Sequence, residues 1–135
     1  MTGVAERPAR TILVADDDPD LLMLVDRRLT RAGYTVIAAR DGQEALDLIA
    51  EHSPRLAVLD VMMPKHTGIE VLERLRADPA TATLPVILMS AGFTGDRTQS
   101  GVPVGADDFV SKPFRSGELR ERIDALFGSG IASGV

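Results

Sequence analysis

Short apolar runs alternate with amphipathic stretches along the chain. Thr11 to Ala15 reads as a first strand. A helix is expected after it, with Asp18 as N-cap, Pro19 at the first helical position and Gly33 as the stop. Its apolar residues Leu22, Val25 and Leu29 recur at spacings of three and four, which predicts one buried stripe. Thr35 to Ala39 is a second strand, and a helix from Gly42 to Glu51 follows, ended by Ser53-Pro54. Leu56 to Leu59 is a third strand, and Gly68 to Ala77 a helix with Ile69, Leu72 and Leu75 inward. Pro85 to Met89 is nearly all apolar, as a strand covered on both faces should be. A short fifth strand, Asp108 to Ser111, leads to a last helix from Ser116 to Phe127 with Leu119, Ile123 and Leu126 inward. Strands alternating with helices predict an α/β fold, a parallel sheet joined by crossover helices.

One interval breaks the pattern. Thr94 to Val104 should carry a helix between the fourth and fifth strands, yet it reads Thr-Gly-Asp-Arg-Thr-Gln-Ser-Gly-Val-Pro-Val. Relative to Ala, each interior Gly costs a helix about 1 kcal/mol and the Pro about 3 kcal/mol. A short or irregular segment is expected there.

Length and composition narrow the class. The 135 residues suit one domain, and the shares of apolar (44%) and charged (26%) residues are those of a globular protein. Residues 1–10 read as a flexible leader without the apolar stretch of a secretory signal, and the Gly/Ser-rich residues 128–135 as a flexible tail. The chain therefore either acts alone or is a piece of a longer one. Its longest apolar run, Leu21 to Val25, is far too short to span a bilayer. There is no cysteine, which excludes disulfides and thiolate metal sites and suits a reducing interior. A cytoplasmic location with no membrane association is expected. The net charge of −5 argues against direct, sequence-independent nucleic-acid binding, which needs clustered Lys and Arg.

The chemistry lies at the strand ends. In a parallel sheet the C-terminal ends share one edge, where ligands bind at the point of strand-order reversal. The first strand ends in Asp16-Asp17-Asp18, the third in Asp60, the fourth in Ser90 and the fifth in Lys112. Asp60 follows a buried run, and a lone carboxylate there is costly without a partner. Asp16, Asp17 and Asp60 cannot all ionise close together without a cation. Carboxylate oxygens suit Mg²⁺, which accepts phosphate oxygens alongside one or two carboxylates. A carboxylate is also a nucleophile toward phosphorus, provided that charge on the transferred group is neutralised; Mg²⁺, the Lys112 ammonium and the Ser90 hydroxyl would do this. Asp18 is better explained as the helix cap. His66 reads as a solvated loop residue.

The set resembles the receiver domain of two-component response regulators. The matching residues are Asp16-Asp17, the run Asp60-Val61-Met62-Met63-Pro64 with Gly68 four residues on, Ser90-Ala91, and Gly105-Ala106-Asp107-Asp108-Phe109 leading to Lys112-Pro113. The resemblance covers about Thr11 to Phe127. It implies a doubly wound five-stranded sheet of order 2-1-3-4-5 with helices on both faces. It implies that Asp60 accepts a phosphoryl group from a sensor histidine kinase or phosphotransfer protein. Asp17, Asp60 and the Met62 main-chain carbonyl would ligate Mg²⁺, with Asp16 acting through a bound water. Lys112 and Ser90 would contact phosphoryl oxygens, Ser90 and Phe109 would form the switch, and the Lys112-Pro113 bond would be cis. A downstream protein partner is implied, and homodimerisation through the face built on the Thr94–Val104 region and the elements after it. Met62 and Gly92, two residues past Asp60 and Ser90, offer no polar side chain to hold a hydrolytic water, so slow self-dephosphorylation is expected.

Two other functions compete. Asp16-Asp17-Asp18 has the Asp-x-Asp spacing of haloacid dehalogenase-type phosphatases, with Asp16 as nucleophile. That class needs a further acidic pair after the fourth strand, where Ser90-Ala91-Gly92 stands. The other alternative is a degenerate receiver serving as a phosphorylation-independent binding adaptor.

Overall fold

A computed structural model describes residues 10–90, 105–115 and 117–128. The expected leader, the Thr94–Val104 segment, Gly92, the Ser116 helix start and the tail beyond Gly128 lie outside the described residues, apart from Arg10.

The described elements run β1 (Thr11–Ala15), α1 (Pro19–Arg31), β2 (Thr35–Ala39), α2 (Gly42–His52), β3 (Leu56–Asp60), α3 (Gly68–Ala77), β4 (Val86–Ser90), β5 (Asp108–Ser111) and α4 (Glu118–Gly128). The five strands form one sheet in the order β2-β1-β3-β4-β5, with every neighbouring pair parallel. The chain thus reverses its direction of travel between β1 and β3, as the expected order requires.

Alternation along the strands sends side chains to two cores. Ile12, Val14, Val58, Met89 and Val110 pack with Leu22, Val25 and Leu29 of α1 and with Leu119, Ile123 and Leu126 of α4. Leu13, Leu59, Leu88 and Phe109 pack with Ala45 and Ile49 of α2 and with Val71, Leu72 and Leu75 of α3. β3 and β4 are buried along their whole length, which is why their sequence lacks the period of two.

Several boundaries move for identifiable reasons. β3 includes Asp60, which stands in register with Met89, and β4 runs from Val86 to Ser90, with Ser90 opposite Ser111. The strands therefore continue one residue past their apolar runs, because ladder hydrogen bonds are indifferent to side-chain polarity. α2 continues to His52 and stops at Ser53 in the left-handed conformation (φ 48°). On α3 Val71 is buried with Leu72 and Leu75, while Ile69 is half-buried and packed against the same core. α1 has the expected cap: the Asp18 carboxylate accepts from the N–H groups of Asp20 (3.0 Å) and Leu21 (3.3 Å). Among the described residues, no helix is long and apolar enough to cross a membrane.

Candidate phosphoryl and metal site

The period of two also decides which strand-end side chains meet. Asp16 continues the Ile12-Val14 row, Asp60 the Leu56-Val58 row and Lys112 the row of Val110, all on the α1/α4 side. The Lys112 Nζ lies 2.8 Å from Asp16 Oδ2 and 3.2 Å from Asp60 Oδ1. Asp16 and Asp60 are almost wholly buried, at 1% and 4% exposure. Asp17 is exposed, but one oxygen from each of Asp16, Asp17 and Asp60 lies within 4.8 Å of the others. Asp16 is held in place by its own neighbours: its Oδ1 accepts from the Asp18 N–H (2.9 Å), and its N–H donates to the Ala39 carbonyl (3.1 Å).

The electrostatics follow from this crowding. Burial, helped by the Asp16 charge and opposed by Lys112, pushes the Asp60 carboxyl up to about 6. Burial alone would lower Lys112, but its hydrogen bonds and ion pairs with Asp16 and Asp60 outweigh that and hold the ammonium above its ordinary range. Three carboxylates against one ammonium leave two formal negative charges at the sheet edge. A divalent cation with a preference for oxygen ligands fits that remainder in charge and in donor type.

Ser90 and Phe109 fall in the other row. Ser90 continues Val86 and Leu88, and Phe109, opposite Leu88, is packed in the α2/α3 core at 4% exposure. Ser90 is itself 6% exposed, and its carbonyl accepts from the Lys112 N–H (3.0 Å). Met62 is exposed (69%). The Lys112–Pro113 bond is cis, as expected.

Two features of the loop after Asp60 go beyond the sequence reading. Gly68 is more than a turn-former: a Cβ there would stand 2.4 Å from the Asp60 carbonyl oxygen. The loop closes at this point through the Gly68 N–H to the Val61 carbonyl (2.9 Å). His66 is not simply solvated. It is half-buried against Gly42, and its Nδ1 lies 3.9 Å from Glu70 Oε1. The Thr67/Glu70 capping box that starts α3 was written in the sequence as Thr-x-x-Glu and carries no chemistry.

Comparison with known proteins identifies the family. Residues 12–124 match the response regulator receiver domain family. The chain is 42% identical over 118 residues to the probable transcriptional regulator ycf27 of Cyanophora paradoxa, covering 87% of this chain and 48% of that protein. It is 44% identical over 115 residues to the response regulator MprA of Mycolicibacterium vanbaalenii, covering 85% and 49%. The chain thus spans about half the length of the curated relatives it matches. Among solved structures, the receiver domain of the Francisella response regulator 1452 superposes with a TM-score of 0.82 at 34% identity, covering 90% of this chain and 98% of that one. The response regulator TrrA of Thermotoga maritima, solved in complex with Mg²⁺-BeF, superposes at 0.76 with 32% identity, covering 87% and 98%. These matches leave no ground for the haloacid dehalogenase reading, whose second acidic pair the strand ends also lack. The chain belongs to the response regulator receiver domains of two-component signalling systems.

Proposed function

We propose that Asp60 takes a phosphoryl group from the phosphohistidine of a sensor histidine kinase or phosphotransfer protein. An Asp60 carboxylate oxygen attacks phosphorus. The new O–P bond forms as the P–N bond breaks, and the imidazole leaves with the bonding electron pair. Each transfer is self-directed, so the chain is a signalling module and not a turnover enzyme. The observation that carries this reading is the single ammonium of Lys112 shared between Asp16 and Asp60 at 2.8 Å and 3.2 Å, beside a third carboxylate.

The residues fit Mg²⁺. Asp17, Asp60 and the Met62 main-chain carbonyl would hold it, with Asp16 acting through a bound water. Bound there, Mg²⁺ supplies neutralisation of the equatorial phosphoryl oxygens. Lys112, already drawn to Asp60, is the nearby cation for the same oxygens, and the Ser90 hydroxyl donates to another. Ser90 and Phe109 share one face of the sheet, which supports a switch that runs from the phosphoryl group through Ser90 to a packed ring. A downstream protein in the cytoplasm reads that change, either directly or through homodimerisation. The adaptor reading has no observation in its favour among the described residues.

The test is incubation with Mg²⁺ and a small-molecule phosphodonor, followed by intact mass. One phosphoryl adduct is expected, absent in Asp60→Asn. No adduct on the wild type would overturn the reading.

A further inference from the structure

The loop Val61–Thr67 carries the Met62 carbonyl and must hold its shape for that carbonyl to serve. Its tip contains an unusual turn. The His66 N–H donates to the Pro64 carbonyl (2.8 Å), two residues back, and the central residue Lys65 has φ 71°. That is the rarer, strained form of the γ-turn, and a side chain makes it less favourable still. Such a conformation persists only where its surroundings over-determine it.

The surroundings come from α2. The Gly42 N–H donates to the same Pro64 carbonyl (3.2 Å). A Cβ on Gly42 would lie 2.1 Å from the His66 carbonyl oxygen, 2.5 Å from its Cβ and 2.7 Å from its carbonyl carbon. Two of these three obstacles are backbone, so the loop tip could not yield by a side-chain rotation. Asp41, the N-cap of α2, lies 3.7 Å from the Lys65 ammonium. At its base the loop is held by Gly68 against the Asp60 carbonyl. The segment is therefore fixed at two points, the base at the acceptor strand itself and the tip at the first residue of a helix that contributes nothing else to the site.

We infer that Gly42 is a positioning residue for the Asp60 site, seating the strained Pro64-Lys65-His66 turn so that the loop presents the Met62 carbonyl beside the carboxylates. The inference rests on the functional reading above. In its ordinary role a glycine at the start of a helix would merely be tolerated; here any side chain displaces the loop.

The experiment measures Mg²⁺ affinity by calorimetry and the rate of adduct formation with the phosphodonor by intact mass. Both are measured well below the unfolding temperature of each variant. Gly42→Ala should weaken Mg²⁺ binding at least fivefold and slow phosphorylation by a similar factor. His66→Gly, which loosens the tip without adding an atom, should weaken Mg²⁺ binding in the same direction while staying folded, so the test survives if Gly42→Ala does not fold. Tyr34→Phe is the control for mere destabilisation. Its hydroxyl bonds Asp124 on α4, away from the site, and its loss should lower the unfolding temperature and leave both readouts unchanged. Wild-type Mg²⁺ affinity in folded Gly42→Ala, or in His66→Gly, overturns the inference. A wild type that binds no Mg²⁺ and takes no phosphoryl group overturns the functional reading instead.

Discussion

Replacing Asp60 by Asn should make the metal-free protein more stable. Asp60 is 4% exposed and sits beside Asp16, and the folded-state value of its carboxyl is about 6 against an ordinary 3.8. A gap of about two units is about 3 kcal/mol of disfavoured ionisation. The sign follows from proton binding. Between the unfolded value near 4 and the folded value near 6 the native state holds the proton more tightly, so wild-type stability falls as pH rises through that window and stays low above it. Asn carries no charge at any pH and keeps the shape, and Lys112 retains its 2.8 Å partner Asp16. The expected gain for Asp60→Asn is therefore about 3 kcal/mol at pH 7, shrinking to about half of that by pH 5. Urea unfolding at several pH values, without divalent cations, measures both numbers, and acids common to the two proteins cancel. Mg²⁺ adds a second arm. At 100 times its Kd it should restore about 2.7 kcal/mol to the wild type and much less to Asp60→Asn. An Asn variant no more stable than wild type at pH 7, or a gain that does not shrink on acidification, would refute the view that burial and Asp16 hold this carboxyl up.

Lys112→Met should lower stability by about 3 kcal/mol, because it leaves two buried carboxylates without their shared ammonium; Mg²⁺ should restore part of that loss in the same urea titration, and adduct formation at Asp60 should slow. Gly68→Ala should cost about 2 kcal/mol, since its Cβ would meet the Asp60 carbonyl at 2.4 Å, and thermal unfolding will show it. Once formed, the phosphoryl group should persist for minutes or longer at neutral pH with Mg²⁺, because the exposed side chain at position 62 is a methionine with nothing to orient water; intact mass followed over time decides this, and loss within seconds would contradict it.

Most of the fold could be read from periodicity because each element has its own period and its own stop. Leu22, Val25 and Leu29 lie on one stripe and are all buried. Asp18, Pro19 and Gly33 bracket α1 by local chemistry alone. The errors occur where local pattern and tertiary pairing part. Asp60 and Ser90 are polar, so an apolar run ends before them, yet both belong to the ladder. The meeting of Asp16, Asp17, Asp60 and Lys112 was legible because parallel topology gathers the strands' C-terminal ends at one edge, whatever lies between them in sequence. Gly42 was not. Its reason is the His66 carbonyl, brought beside it only after β3 and α2 have packed, and a glycine after an Asp cap looks like ordinary helix-start chemistry. Lys65 was equally invisible, since nothing in a lysine announces a positive φ.

The alternation of the strands has one consequence for how a charge at Asp60 is felt elsewhere. Asp16, Asp60 and Lys112 lie in the α1/α4 rows, while Ser90 and Phe109 lie in the α2/α3 rows. In the proposed reaction a carboxylate of charge −1 becomes an acyl phosphate of about −2. With a divalent cation held there, Asp16, Asp17, Asp60 and Lys112 would leave the site neutral beforehand and about one negative charge in excess afterwards. Lys112 is shared between two carboxylates, so its one ammonium would offset only part of that added charge. In the proposed reaction the Ser90 hydroxyl, from the opposite row, would supply a further hydrogen-bond donor to that group. That row also holds Phe109, 4% exposed among Leu88, Val71 and their neighbours, and a packed ring cannot follow Ser90 without vacating volume that the core must refill. On the proposed reading, a close-packed core that resists intermediate positions would make the response two-state, and it would be built on the face of the sheet opposite Asp60.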